Sequence, residues 1–387
     1  MAGTAMKTNT IMVRTYSRPA IAALLLSALL WAVSAAAQNN DSPAASRPAL
    51  PPVPAPLDVP HPGPVTDGAY APQPILPGGM VLPLFPPDSH YLNTNRIREA
   101  EVYNLSTSVP GRIQSIVNIH NPSIEVHLVE GGLNTGAAVI TAAGGGHNTL
   151  NVGGESADFV PFFYNYGINT IILRNRLRRD GYNPKTDEVY DAQQAIRLVR
   201  AHAREWRIDP DKIGIMGFSA GAELAASTAL FYPGFDATNS DSTDPLAGIS
   251  SRPDFVGIIY PGPSPFTRDP HTPIPTNCPP AFIVCGGSGD PQHAAWADDY
   301  FAAMLRDRVP NIEMHIYGRG RHPGDPLGNG AHMTGGLSDR NNTPYGTWQY
   351  RFIDWFRDLG FLQPPGIETQ AAKDVAAYQP PGTPKQP

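Results

Sequence analysis

The chain has 387 residues, with 28 basic against 34 acidic side chains and a formal net charge of −6. That length allows one or two domains, and the acidic balance does not favour nucleic acid or an anionic membrane surface as a partner. Two cysteines, with no CxxC pair and no HExxH helix, imply no metal site.

Residues 1–37 read as a secretory signal. Lys7, Arg14 and Arg18 form a basic leader, Ala20 to Val33 is an apolar run, and Ser34-Ala35-Ala36-Ala37 offers a small-residue cleavage site before Gln38. The apolar run falls short of the roughly 20 residues a spanning helix needs, and no cysteine follows it to carry a lipid. Cleavage would leave 25 basic against 34 acidic residues, a net −9. The expectation is a soluble exported protein, in the periplasm or the medium, with no membrane attachment after cleavage. Oligomeric state has no signature in the sequence.

Residues 38–92 read as a Pro-rich disordered linker, with 15 of the 43 prolines between 43 and 87; such sequence stays extended and solvated. Residues 363–387 have a similar composition and are expected to form a flexible tail. Residues 93–362 between them suffice for one large α/β domain. Within it, Val109 to Val117 and Ile124 to Val129 read as two early strands, joined as a hairpin through Asn121-Pro122. Ala137 to Ala142 is a short buried strand that runs into Gly144-Gly145-Gly146, and Ile168 to Leu173 is another. Asp187 to Trp206 is a helix, with Val189, Ala192, Ala195, Ile196, Val199 and Trp206 on one face. Asp254 to Tyr260 and Ala281 to Cys285 are further buried strands. Ala294 to Arg308 is a helix, Ile312 to Tyr317 a strand, and Tyr345 to Leu359 a closing amphipathic helix. This alternation predicts an α/β fold with a mostly parallel central sheet and helices on both faces. Nearly extended chain from Cys278 to Cys285 spans roughly 23 Å, whereas a disulfide needs Cα atoms within about 7 Å, so both thiols are expected to be free.

The densest chemical signal is Gly217-Phe218-Ser219-Ala220-Gly221. The apolar strand Ile213 to Met216 precedes it and an Ala-rich helix follows. A G-x-S-x-G elbow between strand and helix holds a serine strained and exposed, and its glycines avoid clashes with the neighbouring strand and helix. The helix N-terminus beneath Ser219 offers free N–H groups and a positive dipole end to an oxyanion. A serine nucleophile then needs an acid and a base, expected in the chain order Ser, Asp or Glu, His. The acid belongs at the carboxyl end of the strand that finishes at Cys285. Asp290 in Gly286-Gly287-Ser288-Gly289-Asp290 fits, ahead of Asp298 and Asp299 inside the next helix. His322 fits the base, in the loop after Tyr317. His332 is the runner-up in the same loop, His315 reads as a packed strand residue, and His293 as the start of a helix. Backbone N–H groups of Ala220 and of Gly145 or Gly146 are the expected oxyanion donors. His147 and Phe218, beside the two turns, are expected to contact substrate. The glycine turn is followed by no lysine in Walker-A register and no G-x-G-x-x-G appears, so neither a phosphate site nor a cofactor is expected.

With these pieces assembled, residues 110–362 resemble the carbohydrate-esterase-like branch of the α/β-hydrolase superfamily, which includes acetyl-xylan-esterase-like and feruloyl-esterase-like proteins and relatives of hormone-sensitive lipase. Ala143-Gly144-Gly145-Gly146-His147 is similar to that branch's HGGG or PGGG oxyanion segment, Ile172 to Leu177 to its segment after the fourth strand, and Asp191 to Arg200 and Asp209 to Gly221 match closely. The resemblance implies Ser219, Asp290 and His322 as the triad. Ala222 stands where a glycine is common, and the glycine-rich acid loop departs from the family pattern. Gly320 to Tyr345 forms a long loop, either a lid or a plain surface loop. The resemblance and the leader together imply a secreted serine esterase that removes short acyl groups from polysaccharide or small esters. A peptidase or lactone hydrolase on the same fold, or a non-catalytic binding relative, is the alternative.

Overall fold

The computed structural model describes residues 68–107, 110–238, 244–322 and 344–381; the signal segment and His332 lie outside them. Ten strands form among the described residues: Met80–Pro83 (β1), Val102–Leu105 (β2), Ile113–Val117 (β3), Ser123–His127 (β4), Ala138–Ala142 (β5), Asn169–Arg174 (β6), Ile213–Phe218 (β7), Val256–Ile259 (β8), Ala281–Gly286 (β9) and Glu313–Tyr317 (β10). The helices are Phe159–Tyr164 (α1), Asp187–Ala201 (α2), Ala220–Thr238 (α3), the single turn Pro265–Arg268 (α4), Pro291–Arg306 (α5), Trp348–Asp358 (α6) and Gln370–Ala377 (α7).

Eight strands make one sheet in the order β1-β4-β6-β5-β7-β8-β9-β10. β4 runs antiparallel to both its neighbours, and every pairing from β6 to β10 is parallel. Strands β5 to β9 are buried along their whole length, as a parallel sheet covered on both faces requires. Alternate residues feed two cores. Ile213, Ile215, Ile258 and Ile283 pack on one face with Val189, Ile196 and Leu224 of α2 and α3 and Tyr300 of α5. Met216, Phe218, Ile259 and Phe282 pack on the other with Phe159 of α1 and Trp348, Phe352 and Phe356 of α6.

Three expectations need correction. The early hairpin does not form: β3 pairs with β2 in a separate two-stranded sheet, while β4 enters the main sheet between β1 and β6. Ile113, Ile116 and Val117 bury against Leu150, Val152 and Leu177 in a core of their own. The second correction concerns the Pro-rich segment, which is folded from its first described residues: Tyr70, Ile75, Leu84 and Phe85 are buried, and β1 forms an edge strand on β4. Apolar residues between the prolines supply the burial, and an edge strand tolerates Pro83 because only one side of it pairs. Glu125 of β4 ties the segment down by accepting the Ile75 and Leu76 N–H groups at 2.8 and 3.1 Å. Third, the chain beyond residue 363 continues in defined structure. The Lys212 ammonium donates to the Gln363 and Pro364 carbonyls at 2.8 and 3.2 Å. Thr369 caps α7 by accepting the Ala372 N–H at 3.0 Å.

Candidate active site

Ser219 sits in the one-residue turn between β7 and α3, with φ of +52°, a left-handed conformation that costs a non-glycine residue strain. The turn survives because its flanks are bare. A Cβ on Gly217 would lie 1.9 Å from the Gly221 carbonyl oxygen, and one on Gly221 would lie 2.0 Å from the Ala142 oxygen. The Ser219 amide is anchored on the Ile259 carbonyl at 3.0 Å, so the hydroxyl is held above the carboxyl ends of β5, β7 and β8.

Asp290 and His322 come from the loops after β9 and β10, and the two loops are laced backbone to backbone: Gly287 N–H donates to Tyr317 O at 2.8 Å and Ser288 N–H to Gly318 O at 2.9 Å. The glycines of the acid loop are explained by this approach, since a Cβ on Gly286 would meet the Gly320 oxygen at 2.3 Å. The lacing brings three side chains into line. Ser219 Oγ lies 3.0 Å from His322 Nε2, and His322 Nδ1 lies 3.4 Å from Asp290 Oδ2. That second contact is longer than an ordinary hydrogen bond.

Asp290 is 6% exposed. Burial pushes its carboxyl up, but hydrogen bonds and charges from His293 and then His322 outweigh burial and hold it at about 2, so it is ionised at neutral pH. His293 Nδ1 contacts Asp290 Oδ1 at 2.5 Å. Its ring stacks on that of His322 with centroids 3.7 Å apart and planes 8° from parallel, and Tyr260 meets His322 edge-on at 5.3 Å. Donor atoms of Asp290, His293 and His322 lie within 4.8 Å of one another. The two imidazole planes are parallel, however, so their lone pairs run side by side rather than converging on a point, as shared coordination of one ion requires.

In the glycine turn, the Gly144 N–H is already committed to Glu155 Oε2 at 2.7 Å. The amides of Gly145, at φ +134°, and Gly146, at φ +62°, have no acceptor among the described residues, and neither has Ala220. These three are therefore the N–H groups open to an oxyanion. Glu155 Oε1 accepts the Tyr260 hydroxyl at 2.9 Å, so one buried carboxyl braces the glycine turn and the ring beside His322. Burial pushes that carboxyl up to about 7 against both hydrogen bonds.

The two residues expected to touch substrate are placed differently. Phe218 is wholly buried in the aromatic core among Phe159, Tyr260 and Trp348, because even-numbered positions of β7 face the core on the α1 and α6 side of the sheet; its side chain is a core residue. The His147 ring is tied up by carboxylates, with Nδ1 2.8 Å from Glu188 and Nε2 3.6 Å from Glu223. Burial pulls His147 down, but hydrogen bonds to Glu188 and Glu223 raise it to about 9, so the ring is a cation pinned between α2 and α3. Cys278 and Cys285 are free and buried. Sequence reasoning passed over His293, Glu155 and Tyr260. For His293 the signal was available: Asp290 and His293 stand three apart across a helix start, a spacing at which side chains meet.

The serine elbow after β7 and the acid and histidine loops after β9 and β10 define a protein of the α/β-hydrolase fold. Solved structures agree. An acetyl ester-xyloside bifunctional hydrolase from Caldicellulosiruptor lactoaceticus superposes with a TM-score of 0.55 at 24% identity, covering 75% of this chain and 99% of that one. Esterase 2 of Thermogutta terrifontis, phosphorylated by paraoxon, gives 0.52 at 20% identity, covering 76% and 98%. Residues 125–247 match the BD-FAE family model. Among characterised sequences, an acetylxylan esterase of Xylanibacter ruminicola is 27% identical over 169 residues, which is 43% of this chain and 29% of that relative's length.

Proposed function

We propose that this chain is an exported serine carboxylic ester hydrolase that removes short acyl groups, acetyl among them, from polysaccharide or small esters. The observation that carries the reading is the 3.0 Å approach of Ser219 Oγ to His322 Nε2 at a left-handed elbow. Ser219 attacks the ester carbonyl while His322 takes its proton. Asp290, ionised, favours the Nδ1–H tautomer of His322 and stabilises the imidazolium. The tetrahedral oxyanion is met by N–H groups of Ala220 and of Gly145 or Gly146; each such donor typically lowers the barrier by about 2.7–4 kcal/mol. His322 returns the proton to the leaving alcohol, then activates the water that releases the acid from the acyl-enzyme.

The acyl preference is supported by the similarity to an acetylxylan esterase and an acetyl ester-xyloside hydrolase. The test is release of acetate from acetylated xylan beside hydrolysis of p-nitrophenyl acetate. Both activities are expected in the wild type, and Ser219→Ala is expected to lower both on the order of 10⁶-fold. A fluorophosphonate probe should label Ser219 alone; turnover that survives Ser219→Ala sinks the mechanism. Cleavage of the small ester only would leave the chemistry and remove polysaccharide as substrate. Export is supported by the basic leader, apolar run and small-residue site before Gln38. Mass spectrometry of the mature protein should find its first residue at Gln38, and an intact Met1 terminus would overturn export.

A further inference from the structure

We propose that His293 is a positioning residue for the base, orienting the carboxylate and the ring of the Asp290–His322 pair at once; this rests on the hydrolase reading above. The argument begins with the helix. Asp290 occupies the N-cap of α5, where an aspartate ordinarily accepts a backbone N–H two or three residues on. Here the side chain makes no cap hydrogen bond. Among the described residues, no backbone N–H reaches the Asp290 carboxylate, and its polar partners there are two histidines. His293, in the first turn of α5, takes Oδ1 at 2.5 Å. That contact fixes the rotation of the carboxylate and leaves Oδ2 turned to His322 Nδ1 at 3.4 Å.

The same ring controls the second partner. His322 lies in the loop after β10, and a loop-borne imidazole must be held in plane for Nε2 to aim at Ser219. His293 covers one face of it at 3.7 Å and 8°, and Tyr260 abuts it edge-on at 5.3 Å and 85°. His293 is itself backed by Trp296, one helical turn on, at 5.0 Å and 88°. The order Trp296, His293, His322, Tyr260 is a row of rings that runs from α5 to the end of β8. A group within contact distance of both the carboxylate and the imidazole sets their mutual angle, and catalytic geometry is steep in such errors, with a displacement of about 1 Å costing roughly 100-fold.

Three variants separate the two contacts. His293→Phe keeps the stacked ring and removes the N–H, His293→Gln keeps a donor and removes the ring, and His293→Ala removes both. On p-nitrophenyl acetate, His293→Ala is expected to lower kcat by roughly 10- to 100-fold per fluorophosphonate-titrated site, with KM within twofold of wild type, and Phe and Gln each to restore part of the loss. Imidazole ¹⁵N spectra should show His322 as the Nδ1–H tautomer in the wild type and as a mixture in His293→Ala. A kcat per titrated site within twofold of wild type for all three variants would overturn the proposal, as would unchanged His322 ¹⁵N shifts. The spectra need no turnover, so they decide the positioning role even where the hydrolase reading fails, which would show instead as a wild type with neither activity nor labelling.

Discussion

Glu155 is the residue whose loss is felt in two places. It is buried, accepts the Gly144 amide and the Tyr260 hydroxyl, and so joins the oxyanion turn to the wall beside His322. Glu155→Ala strands the buried Gly144 amide, and an unsatisfied buried donor costs about 1–3 kcal/mol. Urea unfolding should show a loss in that range or somewhat above. Glu155→Gln should recover most of it, because its amide oxygen accepts the Gly144 N–H. An Ala variant as stable as wild type would remove Glu155 from this role. At this scale the sequence was informative where chemistry is local and silent where it is not. Ser219 announces itself because five consecutive residues carry the elbow, and Asp290 and His322 follow from chain order. Glu155 has no such frame. Its partners stand 11 and 105 residues away, and nothing in a glutamate between Gly154 and Ser156 tells of a tyrosine on another strand.

Among elements, the loop from β5 to α1 is held by a cation between two helices. His147 faces Glu188 of α2 and Glu223 of α3, and Glu223 also pairs with Arg268 of α4 at 2.7 Å. Raised to about 9 in the folded protein from an unfolded value near 6.5, His147 binds its proton more tightly folded than unfolded. Its contribution is therefore complete below pH 6.5 and is lost as pH rises through 9. Thermal midpoints should fall across that window in the wild type, and His147→Gln should flatten the decline. A variant with the same slope would assign the decline elsewhere. Most elements that sequence patterning recovered share one property: β5 to β9, α2, α5 and α6 each bury a long run or a periodic face, whereas β10 was recovered although it is only half-buried. Three of those it missed do not. β1 is half-exposed and ends in proline, β2 is largely exposed, and α7 buries little beyond Ala371. Their apolar content is too sparse for periodicity to register, and they form because an edge or a groove is there to receive them.

Across the whole molecule, the class of fold was legible from alternation alone, but strand order was not. Nothing local distinguishes β4, inserted antiparallel between β1 and β6, from a hairpin partner of β3; the choice is made by which buried surface each strand can reach. The order also has a temporal side. Ser219 and His322, its proposed base, are 103 residues apart, and His322 follows β10, the outermost strand on its side of the sheet. Synthesis at about 5–20 residues per second delivers Ser219 roughly 5–20 s ahead of His322. Through that interval the serine is without its proposed base. On the proposed mechanism, hydrolysis therefore waits for the final edge of the sheet to be in place.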